Sequence, residues 1–312
     1  MAETSMTEAE VITMISGLQD ELEGLQRMLA ELRGVPSVAQ GALSDEERER
    51  RHQEDLQRIR GFRLMDDVFM NACFDGFTEG AELLLRVILD MPDVRVSSVR
   101  TQRLLKNLAG RDVQLDLDAV DGEGRRHNVE VQRSDAGASV ERARYHSSML
   151  DASLLRPSED FRALPETYVV FITEGDVLGG GLPRHAVDRV VKETGLPFGD
   201  REHIVYVNGE DTDPSTELGR LMHDFSCTDP GDMHSELLAG RVRHYKEDEE
   251  GIATMCKVLE DVRVEAERRT VAVVIQKIMT NLKMTSDEAM DVLEVPKDQR
   301  AAYAALVGQS RR

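Results

Sequence analysis

Two short consecutive stretches place polar groups at alternate positions: Gln114, Asp116 and Asp118 in Gln114–Val120, then Glu130 and Gln132 in His127–Arg133. A period of two is that of a half-buried strand, with one face polar and one apolar. The joining segment Asp121-Gly-Glu-Gly124 is Gly-rich and polar, which is hairpin-turn chemistry. Folding about position 123 makes residues whose numbers sum to 246 face each other, so Asp116 meets Glu130 and Gln114 meets Gln132. Cross-strand partners share a face with Cβ atoms about 5 Å apart. Two carboxylates at that spacing repel unless a cation or a proton lies between them. Hard oxygen donors so arranged suit Mg²⁺ or Mn²⁺.

Asp followed by Glu-x-Gln in the next strand resembles the core of the PD-(D/E)XK nucleases. The likeness extends along the chain. Asp66-Asp-Val-Phe69, Leu115-Asp116, Val129-Glu-Val-Gln132, Arg142-Ala-Arg-Tyr145, Tyr168–Leu178, His203–Gly209 and Leu221-Met-His-Asp-Phe225 follow in order. The series resembles the PD-(D/E)XK nuclease family transposases, relatives of the recombination-promoting nucleases, and covers roughly residues 60–260. The metal signature alone is short and degenerate; the whole ordered series is far more specific.

The resemblance implies an α/β fold with a restriction-endonuclease-like core, a mixed central sheet flanked by helices. It implies Mg²⁺- or Mn²⁺-dependent hydrolysis of DNA phosphodiester bonds. Asp116 and Glu130 would be catalytic metal ligands, joined by the backbone carbonyl of Val131. Gln132 stands where the pattern usually has Lys; it can orient a water or bond a phosphate, but it carries neither proton nor charge. Asp67 matches an acidic position in the first core helix, with Met70 where Lys is usual. Arg144 and Tyr145 match an Arg-Tyr pair on the helix after the hairpin, and with Arg133 they are the expected nucleic-acid contacts. Asp118 is auxiliary. Transposase and DNA recombination are the family's labels, and no residue here speaks for strand transfer.

Plainer readings compete at each position. Alternation alone predicts a solvated polar sheet face for Asp116, Glu130 and Gln132. Asp66 or Asp67 fits a helix N-cap, and Arg144 fits a structural ion pair. His127, His146 and His185 lack metal-ligand spacing, and His223-Asp224 is a lone pair. Gly179-Gly-Gly181 lacks the Gly-Lys-Ser/Thr of a phosphate loop.

The chain has 312 residues, 40% apolar and 4% aromatic, which suits a helix-rich protein with an aliphatic, Met-filled core. It shows no apolar run of about 18 residues and no basic-then-apolar leader, so no membrane partner is expected. Cys73, Cys227 and Cys256 are isolated, which argues against a disulfide framework or zinc site and for a cytoplasmic setting. The net charge of −20 argues against generic DNA binding. Residues 95–145, however, hold ten Lys/Arg against eight Asp/Glu, a local +2.

Three regions are expected: N-terminal helices over 1–60, the nuclease-like domain over 61–210, and a helical region over 211–312. Val11, Leu18, Leu25 and Leu32 recur every seven residues within 7–33, a coiled coil for a homo-oligomer or a helix packed on the body. Ser44-Asp-Glu-Glu47 reads as a capping box. Helices are expected at 66–71, 79–89, 139–154 and 184–194, and strands at 167–173 and 203–207, with 94–99 a strand or loop. The functional expectation is a DNA endonuclease. Its rivals are a catalytically inactive nucleic-acid- or protein-binding module on the same fold, and an RNA nuclease.

Overall fold

The computed structural model describes residues 44–107 and 110–309, so the heptads of 7–33 lie outside the described residues. The described residues form two compact units: 52–258, and one that includes 44–51 and 259–309. The elements in chain order are α1 (Asp45–Gly61), α2 (Asp67–Phe74), α3 (Thr78–Leu89), β1 (Val96–Leu105), β2 (Val113–Asp121), β3 (Arg126–Gln132), α4 (Val140–Leu154), β4 (Thr167–Thr173), β5 (Arg184–Val187), β6 (Glu202–Asn208), α5 (Glu217–Ser226), α6 (Glu236–Glu247), α7 (Glu249–Leu282), α8 (Ser286–Val292) and α9 (Arg300–Gln309). The chain is thus mixed α/β, with a six-stranded sheet of order β1-β2-β3-β4-β6-β5 flanked by helices.

The β2–β3 turn is tied by one side chain. Asp121 accepts from the backbone N–H groups of Glu123 (3.0 Å) and Arg125 (2.9 Å), and from Arg125 Nε (2.6 Å). Gly124 has φ +81°, a left-handed conformation that glycine adopts without strain. The register follows: Val120 pairs with Arg126, Ala119 with His127, Asp118 with Asn128 and Leu117 with Val129, each pair summing to 246. There the ladder stops, although β2 begins at Val113 and β3 continues to Gln132.

From β3 the chain crosses through α4 and returns as β4, parallel to β3; β6 adds parallel to β4. A parallel pair needs such a crossover. Every residue of β4 is buried, as expected of a central strand. Val169 and Phe171 share a cluster with Leu115 of β2 and Leu150 of α4. The Phe171 ring stacks on Tyr206 at 5.5 Å.

Two expectations need correction. Residues 184–194 are not a helix: Arg184–Val187 is the antiparallel edge strand β5 on β6, and Val190 bridges to Pro197. The β-branched Val187, Val190 and Val191 favour extended backbone, and the free edge of β6 supplies hydrogen-bond partners. The first strand runs from Val96 to Leu105, well beyond 94–99, because β2 offers it a full-length partner despite its polar sequence. The solvated face that alternation alone would give fails for the acids of the hairpin, although Gln114 is exposed and Gln132 half-buried. Asp116, Asp118, Asn128 and Glu130 are all buried, Glu130 at 0% exposure.

Lys246 makes a long-range staple within the larger unit. Its buried ammonium donates to the carbonyls of Arg60, Phe62 and Thr228 and lies 5.3 Å from the Phe69 ring centroid. Burial lowers its pKa.

The smaller unit packs Ile275 and Ile278 of α7 against Met290 of α8 and Tyr303 and Val307 of α9. The capping boxes at Ser44/Glu47 and Thr285/Glu288 both form.

Phe171→Ala should destabilise the protein by about 3–5 kcal/mol in urea unfolding, as a large cavity in a close-packed strand does. Phe161→Ala, at a position 81% exposed, should change it by no more than about 0.5 kcal/mol.

Candidate metal centre

Asp116 and Glu130 stand where the β2–β3 ladder gives out, and their side chains replace its missing bonds. Glu130 Oε1 accepts from the Asp116 N–H at 3.2 Å, and Asp116 Oδ2 accepts from the Val131 N–H at 3.3 Å. The hairpin opens into a fork with the two acids crossing its gap. On the other side of β3, Arg126 N–H donates to Glu166 O, and Gln132 O accepts from Glu174 N–H. Even-numbered residues of β3 therefore turn their main-chain groups toward β4. By alternation the Val131 carbonyl turns toward β2, into the fork.

A third acid comes from α2. Asp66 occupies the N-cap position without making a side-chain cap. Asp67 opens the helix, and its carboxyl accepts from Asn71 Nδ2 at 2.5 Å and Gln102 Nε2 at 3.4 Å. The capping reading fails for both residues. The three acids sense one another. Burial raises the Asp116 pKa to about 8, with the charges of Glu130 and then Asp67 adding to the shift. Burial also raises that of Asp67, with Glu130 contributing. No Lys or Arg among the described residues lies within ion-pair distance of Asp116.

Glu130 has its own cation. Arg142 of α4 donates from Nη2 to Glu130 Oε2 at 3.3 Å, from Nη1 to Gln132 Oε1 at 3.3 Å, and from Nε to His146 Nε2 at 3.2 Å. His146 Nδ1 lies 3.4 Å from Glu130 Oε1. Ser139 caps α4 by accepting from the Arg142 N–H.

The remaining expected residues are placed otherwise. Asp118 is buried in an ion pair with Arg103 at 2.6 Å. Arg133 pairs with Asp66 at 2.8 Å and reaches Glu174 at 3.5 Å, beside an Arg63–Glu174 pair. Arg144 is exposed. The Tyr145 hydroxyl donates to the Arg111 carbonyl at 2.6 Å and accepts from Asn107 Nδ2 at 3.0 Å, tying α4 to the β1–β2 connection. Arg142 and His146 lie against Glu130, and neither stood among the site residues expected from the sequence. The available signal was their i, i+4 spacing on the helix face that also buries Ala143, Met149 and Leu150.

The donors fit a hard dication in kind: three carboxylates and a main-chain carbonyl, with a buried acid at Asp116 that lacks a cation of its own. Among the described residues, no group of three or more His, Cys, Asp or Glu side chains is placed so that it could hold a metal ion. The Arg142 guanidinium holds the counter-charge position at Glu130. No protein-family model, curated protein or solved structure matches the chain.

Asp116 gives a pH prediction with a defined sign. Its folded pKa of about 8 exceeds the ordinary 3.8, so the folded state keeps a proton that the unfolded chain releases. That stabilisation is complete below about pH 4 and is lost as pH rises toward about 8. In chelator, the urea midpoint should fall between about pH 5 and about pH 8, and Asp116→Asn should flatten the fall. An equally steep profile in the variant would show that other groups cause it.

Proposed function

We propose that this chain is a divalent-metal-dependent nuclease with a restriction-endonuclease-like core, hydrolysing DNA phosphodiester bonds. The observation that carries the reading is the forked hairpin, in which two buried acids from adjacent strands cross with a third acid beside them. Such a cluster is costly unless a cation or proton joins it. Asp116, Glu130 and the Val131 carbonyl would hold Mg²⁺ or Mn²⁺, with Asp67 completing the set from α2. The bound ion would supply Lewis acidity and a more acidic water.

The protein's own groups do the rest. Gln132, at the solvent end of β3, can hydrogen-bond a water or a phosphate oxygen through its amide. Water adds at phosphorus and gives up a proton to solvent as one P–O ester bond breaks, and the departing alkoxide takes a proton from solvent.

Charge supports a polyanionic substrate locally. Arg100, Lys106, Arg111 and Arg144 are exposed and have no side-chain partner among the described residues. Lys106 and Arg111 flank the β1–β2 connection, and the Tyr145–Arg111 bond brings the helix carrying Arg144 to it. The buried carboxylates contribute to the −20 charge, but they sit inside and are partly neutralised.

One observation favours a second reading, a binding module without catalysis: Glu130 is fully buried against Arg142 and His146. An RNA nuclease would use the same residues. The heptads of 7–33 are the proposed self-association segment, and a reducing cytoplasm suits the three free cysteines. Among the described residues, no helix is long and apolar enough to cross a membrane.

Purified protein should nick supercoiled plasmid when given Mn²⁺ or Mg²⁺, and Asp116→Ala or Glu130→Ala should each lower the rate by more than about 100-fold. Equal behaviour of wild type and both variants on DNA and on RNA substrates would favour the binding module, and variant-sensitive cleavage of RNA alone would identify the RNA nuclease. Lys106→Ala with Arg111→Ala should reduce the slope of log affinity against log salt by roughly 1.8, or about 0.9 per lost phosphate contact.

A further inference from the structure

Glu130 is 0% exposed, whereas the Arg142 side chain that neutralises it is 37% exposed. The guanidinium thus bridges a buried acid and the solvent. Its contacts to Glu130, Gln132 and His146 are 3.2–3.3 Å long, at the weak end of hydrogen bonding. Its backbone is fixed by the Ser139 cap, so the side chain can swing from a stationary base. An arginine only donates, so His146 Nε2 accepts from it, while Nδ1 lies 3.4 Å from Glu130 Oε1 and 3.5 Å from Asn128 Nδ2. Arg142 therefore bonds this acid directly and also holds the His146 ring beside it.

A dication and a guanidinium compete for the same carboxylate. Gln132 brings no charge, Arg133 is engaged by Asp66 and Glu174, and Arg144 points to solvent. That leaves Arg142 as the cation joined to both the buried acid and the half-buried end of β3.

We propose that Arg142 is a two-position catalytic cation: it neutralises Glu130 before a divalent ion binds, then turns outward along Gln132 to grip the scissile phosphate. The second position rests on the nuclease reading, and the first does not. A guanidinium fork matches two non-bridging phosphate oxygens. In the first position it competes with metal; in the second it stabilises charge that grows during hydrolysis.

The test uses the full chain, with Mn²⁺ alone as the binding probe and plasmid cleavage as a separate readout. Arg142→Ala should bind Mn²⁺ at least about tenfold tighter, because the competing counter-charge is gone. It should melt at a lower temperature in chelator and recover on adding Mn²⁺. Its kcat should fall about 10²–10³-fold, with a smaller change in KM. Arg142→Gln removes the charge but keeps a polar side chain and serves if the alanine variant does not fold; it should also bind Mn²⁺ more tightly and turn over more slowly.

Unchanged or weaker Mn²⁺ binding in the variant that folds overturns the counter-charge role. Tighter binding with wild-type kcat overturns the phosphate role. If wild type binds Mn²⁺ yet cuts neither DNA nor RNA, the nuclease reading and the phosphate role fall together, while the Mn²⁺ comparison still decides the first position.

Discussion

The site depends on one electrostatic constraint: acids buried side by side must be neutralised. Asp116 and Glu130 cross within a hairpin that has stopped pairing, and Asp67 adds a third negative group. A protein can meet that constraint with protons, with a basic side chain or with a metal ion. Here the first two are visible. Burial favours the protonated form of Asp116, and Arg142 covers Glu130. The rest of the larger unit serves this compromise. Asp121 sets the register, β4 gives the fork a rigid wall, and Phe171 lies edge-on beneath His146 at 5.8 Å.

The hairpin was legible because its determinants are local. A Gly-rich turn and strict alternation fix register by counting, and the observed pairs obey that count. The continuous apolar run of β4 was legible for a similar reason. What surrounds the hairpin was not. Alternation reports which residues share a face, but it cannot report what covers that face. Alternation alone would leave Asp118 and Glu130 on a solvated side, whereas Arg103 lies against the first and Arg142 and His146 against the second.

The choice between Arg142 and Arg144 shows where resemblance and geometry part. The family-like Arg-Tyr pair drew attention to Arg144. On a helix, residues two apart point about 200° from each other, so only one of the two arginines can face the acids. His146 lies in the buried stripe of α4, and Arg142 stands half-buried one turn before it. In the same way, the region 184–194 has helix-compatible composition, but an unfilled sheet edge decided its conformation.

The Lys246 staple carries a separate consequence. It joins the carbonyl of Phe62 to a side chain 184 positions further along, just ahead of the helix that presents Asp67. A nick or early stop shortly before Lys246 would keep every acid of the fork yet strip three main-chain acceptors of their shared donor. Integrity of the acidic cluster is thus underwritten from the helical region downstream, which makes that region part of the working scaffold rather than an appendage.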